Sequence, residues 1–327
     1  MKVLLANDTG QVAHAGCQAV SDGHARLLGR AGHRVIHRVF RNELKVHAAK
    51  TDQEIVANIE SDEPLMARIA SVDAVVVNGE GTIHHGAGRD LLGLIAAAQK
   101  AGKPTLLVNA VFQEVEGFDE ALRRLDDFVV REPRSQAYAK SRGFNARVVP
   151  DSYFAARFDG PGKEGFAGRD VITDFHPART DVAAVLRTYA EEQQAKSLPL
   201  RGSETMQTWS GLPETIRHSR ALITGRHHGV CLAIVARVPF VALGSNTYKI
   251  EGMLETLGLE RLYCETLEDV YNARAYATDH ADIFAQLLER LTGGEELSTF
   301  RALGRDGADR EAAEVQRLKE DVGDMVL

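Results

Sequence analysis

The sequence predicts an α/β protein with two domains of similar build, each organised around a parallel sheet. Short apolar segments alternate with helical patterns, and the apolar segments lack the in–out alternation of a half-exposed strand. Strands of this kind are buried on both faces, which is typical of parallel sheets covered by helices. The 327 residues also exceed what a single core usually holds, about 250–300 residues.

The N-terminal half alternates strands with helices. Gly32 and Gly102 follow two of the helical patterns at positions where helices commonly stop, and Pro64 interrupts a third. We predict strands at residues 3–6, 34–40, 73–77, 104–109, 128–130 and 147–149. We predict helices at residues 16–30, 54–71, 90–101, 118–125 and 133–142. This alternation predicts a first parallel sheet with a helix after most of its strands.

A stretch rich in glycine and charge, residues 159–169, separates this half from a second alternating one and predicts a linker or an exposed loop. The second half has predicted strands at 170–174, 198–200, 221–224 and 239–243, and predicted helices at 181–194, 212–219, 230–236, 248–257, 267–290 and 310–325. We therefore predict an N-terminal domain at 1–155 and a C-terminal domain at 156–300. A charged C-terminal helix at 301–327 follows, for which packing back on the first domain and fraying are both open.

Composition excludes some classes of protein. The net charge of −7 argues against binding nucleic acid through its phosphates. The three cysteines are widely spaced and form no CxxC motif, which predicts a reducing compartment and so the cytoplasm. No apolar run approaches the roughly 20 residues that span a bilayer, so we expect at most peripheral membrane contact. The oligomeric state is left open.

The most reactive side chains lie at one predicted strand–turn–helix junction, residues 221–234. There Gly225 and Gly229 enclose Arg226, His227 and His228. Unpaired N–H groups at a helix start bind anions, and the planar guanidinium of an arginine suits a phosphate or carboxylate. A histidine can move a proton near neutral pH. The junction therefore predicts a site that binds an anionic small molecule and supplies an acid or base.

Other candidate residues follow the other predicted strands, because ligands of open parallel sheets lie beyond the carboxyl ends of the strands. These candidates are Asn7, Asp8 and His14 after the first strand, Gly81, His84 and His85 in the glycine-rich loop 78–86, Arg131 after strand 128–130, and Asn246 and Lys249 after strand 239–243. For each of them a plain turn, a surface ion pair or a solvated side chain is the alternative. The loop 78–86 is not GxGxxG, which argues against a dinucleotide fingerprint.

We predict no metal site. The histidines come as two adjacent pairs, and adjacent residues of an ordered turn rarely both bind one ion. There is no HExxH, HxH or carboxylate-rich set. The chain also lacks GxSxG and P-loop motifs, which argues against a serine hydrolase or an NTPase. Cys231 is expected in the core.

Several segments resemble the polysaccharide pyruvyl transferase family. They are GEGTIHH at 79–85, VVREPRS at 129–135, VVPDSYF at 148–154, ITGRHHGVCLAI at 223–234 and PFVALGSNTYKIEGML at 239–254. The Arg-x-His-Gly segment is the most specific, and the resemblance covers about residues 1–260. It implies a GT-B-like arrangement of two Rossmann-like domains with an interdomain cleft, the acceptor on the N-terminal side and the donor on the C-terminal side. It also implies transfer of pyruvate from phosphoenolpyruvate to two hydroxyls of a sugar, giving a cyclic ketal.

The resemblance also implies roles for particular residues. Phosphoenolpyruvate carries a phosphate and a carboxylate, and Arg131, Arg226 and Lys249 are the expected cations. His228 is the expected general acid, which protonates the methylene carbon, and His84 is the expected second catalytic histidine. No cofactor or metal is required, and the acceptor is a sugar or glycan, with a lipid-linked or nucleotide-linked carrier open.

Two other functions are compatible with the same cleft. One is a GT-B glycosyltransferase that uses a nucleotide sugar, with the second domain binding base and ribose. The absence of a clear acidic residue for ribose hydroxyls after the second-domain strands counts weakly against it. The other is a non-catalytic module that binds an anionic glycan.

Overall fold

The computed structural model describes residues 1–292. The first sheet has six parallel strands, β1 (Lys2–Asp8), β2 (Arg34–Phe40), β3 (Ala74–Asn78), β4 (Thr105–Ala110), β5 (Asp127–Val130) and β6 (Arg147–Val148). Around it lie α1 (Ala15–Arg30), α2 (Arg41–Lys45), α3 (Asp52–Glu60), α4 (Glu63–Ala70), α5 (Arg89–Lys100), α6 (Asp119–Arg123) and α7 (Pro133–Ser141). The strand order is β2-β1-β3-β4-β5-β6.

The second sheet has five parallel strands, β7 (Asp170–Phe175), β8 (Lys196–Ser197), β9 (Ala221–Gly225), β10 (Phe240–Leu243) and β11 (Tyr263–Cys264). Its helices are α8 (Thr180–Gln193), α9 (Ser203–Thr208), α10 (Leu212–Ile216), α11 (His227–Ala236), α12 (Lys249–Leu257), α13 (Leu267–Asp279) and α14 (Ala281–Thr292). Short 3₁₀ turns occur at Ser152–Ala155, Trp209–Gly211 and Glu260–Leu262. The strand order is β11-β10-β9-β7-β8.

The predicted α/β class, with two domains built on parallel sheets, is confirmed. Both sheets have the same switch in strand order, because each first strand lies between the second and the third strand of its domain. Such a switch point opens a crevice at the carboxyl ends of the two central strands. In the first domain the crevice lies between β1 and β3, and in the second between β7 and β9. The predicted boundary at residue 155 falls between the two sheets.

Several predicted elements begin or end elsewhere. The strand predicted at 198–200 is β8, at residues 196–197, because Pro199 has no N–H for the ladder. Predicted helix 54–71 is two helices, and Asp62 caps the second by accepting from the Leu65 N–H at 3.0 Å. Predicted helix 267–290 breaks at His280. The helix predicted from residue 230 begins at His227. The predicted C-terminal helix at 301–327 lies outside the described residues.

Helix α1 belongs to both domains. Its first half contributes Ala15, Ala19 and Val20 to the apolar core of the second domain. Its second half contributes Leu27 and Leu28 to the core below the first sheet. The start of α1 therefore lies at the junction of the domains. Among residues 1–292, no helix combines the length and the apolar character needed to cross a bilayer.

Candidate active site

A cavity of about 190 Å³ lies between the two domains. It opens at the carboxyl ends of β1, β3 and β5 in the first sheet and of β9 and β10 in the second. The first domain contributes His14, Cys17, Glu80, Gly81 and Arg131 to its wall, and the second contributes Arg226, His227, His228, Ser245 and Lys249. The cleft predicted between two Rossmann-like domains is therefore present, and it is lined mainly by ionisable side chains.

The turn after β9 brings three of these side chains into the cavity. Arg226 has an extended backbone and precedes the first residue of α11, and its N–H donates to Thr224 Oγ1 at 3.0 Å. Gly229 lets α11 pack closely on the strand, since a β-carbon there would lie 2.0 Å from the same Thr224 oxygen. Gly225 is also crowded, since a β-carbon there would lie 2.9 Å from Val182 Cγ1. Both glycines shape the turn by their lack of a side chain.

His228 is fixed by its neighbours on three sides. The Tyr153 ring stacks on it with centroids 5.7 Å apart and planes at 16°. The His14 ring meets it edge-on with centroids 5.8 Å apart. The backbone of Gly16 closes a third side, where a β-carbon would lie 2.0 Å from His228 Nδ1. These three contacts hold the imidazole in the observed orientation.

That orientation points the Nε2 atom of His228 at two carboxylates. Nε2 lies 3.8 Å from Glu80 Oε1 and 3.7 Å from Asp151 Oδ2. Both separations exceed hydrogen-bond length, and Nε2 is a buried atom with no hydrogen-bond partner in residues 1–292. A buried nitrogen of this kind is ready to exchange a proton with a bound molecule.

Asp151 is the centre of a fully buried charge cluster. It accepts from Arg131 Nη1 at 2.6 Å and from His227 Nε2 at 3.0 Å. Burial alone raises the pKa of Asp151, but the Arg131 guanidinium and the hydrogen bond from His227 hold that pKa well below its usual value. Burial and the nearby Arg131 lower the pKa of His227 to about 3. His227 is therefore neutral at pH 7 and donates to Asp151 from the cavity wall.

Two further cations face the cavity. Arg226 donates from Nε and Nη2 to Asp174 Oδ2, at 2.9 and 2.5 Å, which leaves Nη1 available. Lys249 is 9% exposed, and its Nζ donates to Asn246 Oδ1. Burial, followed by the charges of Arg131 and Arg226, lowers the pKa of Lys249 to about 7. The site thus holds a lysine that an incoming anion would readily charge.

The family model described as polysaccharide pyruvyl transferase matches residues 14–247, which includes every residue of the cavity wall except Lys249. The chain belongs to the polysaccharide pyruvyl transferase family. No curated protein sequence matches it.

Solved structures show the fold of this family member. A putative UDP-N-acetylglucosamine 2-epimerase from Listeria monocytogenes is 13% identical, with 98% of this chain and 97% of that chain covered and a TM-score of 0.56. A UDP-GlcNAc 2-epimerase from Neisseria meningitidis bound to UDP-GlcNAc is 12% identical, with 92% and 97% covered and a TM-score of 0.54. Phytolacca americana UGT2, complexed with UDP-2fluoro-glucose and pterostilbene, is 9% identical, with 92% and 97% covered and a TM-score of 0.52. These likenesses confirm the predicted GT-B-like arrangement of two Rossmann-like domains.

The structure brings half of the fourteen predicted site residues of this pyruvyl transferase family member into the cavity wall. Those that line the cavity are His14, Gly81, Arg131, Arg226, His227, His228 and Lys249. His84, predicted as catalytic, lies one step behind the wall, where its Nε2 is 3.2 Å from Asn246 Nδ2. Asn246 in turn accepts from Lys249. The same Nε2 of His84 lies 3.1 Å from the Gly81 carbonyl oxygen. Burial, then the charge of Lys249, lowers the pKa of His84 to about 4, so this histidine is neutral.

Six residues predicted to bind substrate are not part of the cavity wall. Gly225 and Gly229 shape the turn at the start of α11, and Asn246 holds Lys249 from behind. The other three turn elsewhere. Asn7 turns inward with a left-handed backbone, φ 53°, and donates to Asn78 O at 2.6 Å. Asp8 pairs with Arg38 and accepts from a serine hydroxyl beneath β1. His85 also has a left-handed backbone, which directs its half-exposed ring to Glu114 rather than to the cleft.

Sequence reasoning missed the carboxylates of the site. Glu80 lies in the cavity wall, Asp151 binds Arg131 from below, and Asp174 binds Arg226. The site is expected to bind an anion, and this expectation points to cations rather than to acids. The carboxylates that pair with these cations are distant from them in sequence. Two of the three carboxylates carry a local signal: Glu80 stands between two glycines directly after the buried strand β3, and Asp151 lies in the VVPDSYF segment. Ser245 of the wall lies in the segment at 239–254, whereas Cys17 has no such signal.

One group of metal-ligating side chains lies close together within the described part of the chain. The ligand atoms of Asp151, His227 and Cys231 are within 4.8 Å of one another, and all three residues are buried. Burial and the charge of Asp151 raise the pKa of the Cys231 thiol, which keeps it protonated. The guanidinium of Arg131 already neutralises the carboxylate. These residues therefore fit a buried ion pair whose charges are already neutralised better than they fit a cation site.

Proposed function

We propose that this protein transfers pyruvate from phosphoenolpyruvate to two hydroxyls of a sugar and forms a cyclic ketal, with His228 as the general acid. Membership of the polysaccharide pyruvyl transferase family supports the reaction class. The observation that carries the assignment of the acid is the buried, unpartnered Nε2 of His228, which faces a cavity lined by Arg131, Arg226 and Lys249.

The donor is proposed to bind at these three cations. Nη1 of Arg226 has no partner among residues 1–292 and lies beside the start of α11, where backbone N–H groups favour an anion. Lys249 would gain a proton when the phosphoenolpyruvate trianion enters, because the negative charge of the donor favours the charged form of the lysine. Hydrogen bonds from guanidinium and ammonium groups to phosphate and carboxylate oxygens would also hold the reacting carbon in place.

The proposed reaction is balanced in protons. His228 delivers a proton to the methylene carbon, and positive charge develops at the carbon that carries the phosphate. A sugar hydroxyl forms a bond to that carbon, the carbon–phosphate oxygen bond breaks, and a second hydroxyl closes the ring. Of the two hydroxyl protons, one replaces the proton lost by His228 and the other leaves with phosphate. A positioned acid contributes about 10²–10⁴-fold to such a step.

Further parts of the proposal concern partners and location. The acceptor is a sugar or glycan that enters from the N-terminal domain, with lipid-linked and nucleotide-linked forms both to be tested. The reaction requires no cofactor or metal. A cytoplasmic location is supported by three cysteines that are all free thiols.

The alternative is a GT-B glycosyltransferase that uses a nucleotide sugar. The fold alone would permit it, since structures with this fold are bound to UDP sugars. The cavity of about 190 Å³ is smaller than the ~300–1,000 Å³ typical of sites for larger ligands, and this favours a compact donor. We therefore rank the pyruvyl transfer first.

The deciding experiment incubates the protein with phosphoenolpyruvate and a panel of lipid-linked, nucleotide-linked and free sugars. We expect phosphate release that depends on the acceptor, with a mass gain on the acceptor equal to pyruvate less water. His228→Ala should abolish turnover and keep phosphoenolpyruvate binding, whereas Arg226→Ala should weaken that binding. His218→Ala, at an exposed position of the second domain, is the matched control. Turnover of a nucleotide sugar without any reaction of phosphoenolpyruvate would favour the alternative.

A further inference from the structure

Glu80 places a negative charge in the site that is proposed to bind the phosphoenolpyruvate trianion. Its carboxylate is 6% exposed and lines the cavity together with the cations that are proposed to bind the donor. The other two carboxylates near the cavity, Asp151 and Asp174, are each neutralised by an arginine. Glu80 has no arginine or lysine within ion-pair distance in residues 1–292, where the nearest basic side chain is that of His228, at 3.8 Å. Burying a carboxylate without a cation beside it costs free energy, so a function for Glu80 must be sought.

Neutral donors hold this carboxylate in a defined orientation. Cys17 Sγ donates to Oε1 at 3.2 Å, and Asn78 Nδ2 donates to Oε2 at 3.3 Å. Burial and the charge of Glu80 raise the pKa of the Cys17 thiol, so it stays a donor. Asn78 is itself fixed by Asn7, whose side-chain amide donates to the Asn78 carbonyl at 2.6 Å. The chain from Asn7 through Asn78 to Glu80 is rigid, as expected for a preorganised group rather than a surface acid.

Glu80 and His228 face each other from opposite domains. The same oxygen that accepts from Cys17 lies 3.8 Å from His228 Nε2. The proposed reaction needs proton transfers in two directions, onto the methylene carbon and off the attacking hydroxyl. One histidine cannot do both at once, and a second group must lie within reach of the same reacting atoms.

We propose that Glu80 is a catalytic residue, the base that accepts the proton of the first attacking sugar hydroxyl while His228 protonates the donor. This inference rests on the proposed function and deepens it. It assigns the two halves of the acid–base chemistry to the two domains, so that the site is complete only when acceptor and donor are both bound in the cleft.

Glu80 and His228 together account for every proton that moves in the reaction. In the first step the hydroxyl oxygen bonds to the phosphate-bearing carbon, its proton moves to Glu80, and the proton of His228 moves to the methylene carbon. In the second step the carbon–oxygen bond to phosphate breaks, and the proton on Glu80 leaves with phosphate. The second hydroxyl closes the ring and returns its proton to His228. Both residues end in their starting states.

The test separates a base from a merely structural carboxylate. Glu80→Gln keeps the shape and removes both the base and the negative charge. We expect kcat to fall by about 10²–10⁴-fold, while phosphoenolpyruvate binds as tightly as to the wild type or more tightly, because a repelling charge is gone. Isothermal titration calorimetry measures the binding, and acceptor-dependent phosphate release measures kcat.

A chemical rescue completes the test. Glu80→Ala leaves space for a small carboxylate, so added formate should restore part of its turnover. Formate should not restore turnover in Glu80→Gln, whose amide still fills the space, or in His228→Ala, which lacks the acid. Wild-type kcat in Glu80→Gln, or loss of phosphoenolpyruvate binding together with no formate rescue, would overturn the assignment of Glu80 alone. A wild-type protein that releases no phosphate with any acceptor would overturn the proposed function, and this inference with it.

Discussion

Gly16 and His228 touch across the domain junction, so closely that a β-carbon on Gly16 would lie 2.0 Å from the imidazole Nδ1. Gly16 is the second residue of α1, and His228 is the second residue of α11. The contact explains why the two helices can start at the same cavity. It also means that the orientation of the proposed general acid depends on a residue that carries no functional group.

Gly16→Ala should therefore lower kcat without unfolding the protein. The added methyl group must push the ring of His228 away from the cavity, and a misplacement of about 1 Å can cost about 10²-fold in rate. The measurement is acceptor-dependent phosphate release together with phosphoenolpyruvate binding, which should change much less.

Gly29→Ala is the matched control for that substitution. Gly29 lies in the same helix, a β-carbon there would meet nothing within 4 Å, and the variant should keep full activity. A Gly16→Ala protein with wild-type kcat would show that His228 has room to move.

Phosphoenolpyruvate binding should depend on pH through Lys249. Its pKa is lowered to about 7 by burial and by Arg131 and Arg226, while Glu80 and Glu251 act in the opposite direction. Below pH 7 the lysine is charged before the anion arrives; above pH 7 binding must take up a proton. Affinity should then weaken as pH rises from 7 to 9, by at most about tenfold per unit.

Calorimetry in buffers of different ionisation enthalpy measures this proton uptake directly. The range above pH 7 avoids the titration of the phosphate, whose second pKa is about 6. Lys249→Arg keeps a permanent charge, and the pH dependence above 7 should flatten in this variant. A slope that survives the substitution would have to come from another group.

The sequence predicted the fold and the cation side of the site well, for a physical reason. Buried parallel strands and the Arg226–His228 turn are local patterns, and loops after strands converge at one edge of a sheet. The counter-charges could not be read in the same way, because Arg131 and Asp151 are 20 residues apart and His227 and Asp151 are 76 apart. The inward turn of Asn7 and the outward turn of His85 depend on left-handed backbone angles, which the sequence pattern does not specify.

Asp151→Asn should be strongly destabilising. It leaves the guanidinium of Arg131 buried beside a neutral amide, and breaking one side of a buried pair costs about 3–5 kcal/mol. Urea unfolding followed by circular dichroism measures the change. Glu214→Gln, which breaks the half-exposed pair with Arg217, is the control and should cost less than about 1 kcal/mol. Equal effects of the two substitutions would mean that the buried cluster is not a source of stability.

The protein should lose stability in mild acid through His227. In the folded state burial, followed by Arg131, lowers the pKa of His227 to about 3, whereas an unfolded histidine has a pKa of about 6.5. Between these values the unfolded state binds more protons, so stability falls as pH drops below 6.5 and is fully present above it. At pH 5 the loss from this residue should be about 1–2 kcal/mol relative to pH 7.5. The urea midpoint at the two pH values measures it, and His227→Gln, which keeps a neutral donor for Asp151 without titrating, should show a smaller difference. His280→Gln, at an exposed histidine, is the control and should show the same difference between the two urea midpoints as the wild type. If His227→Gln also showed the wild-type difference, the acid sensitivity would come from other groups.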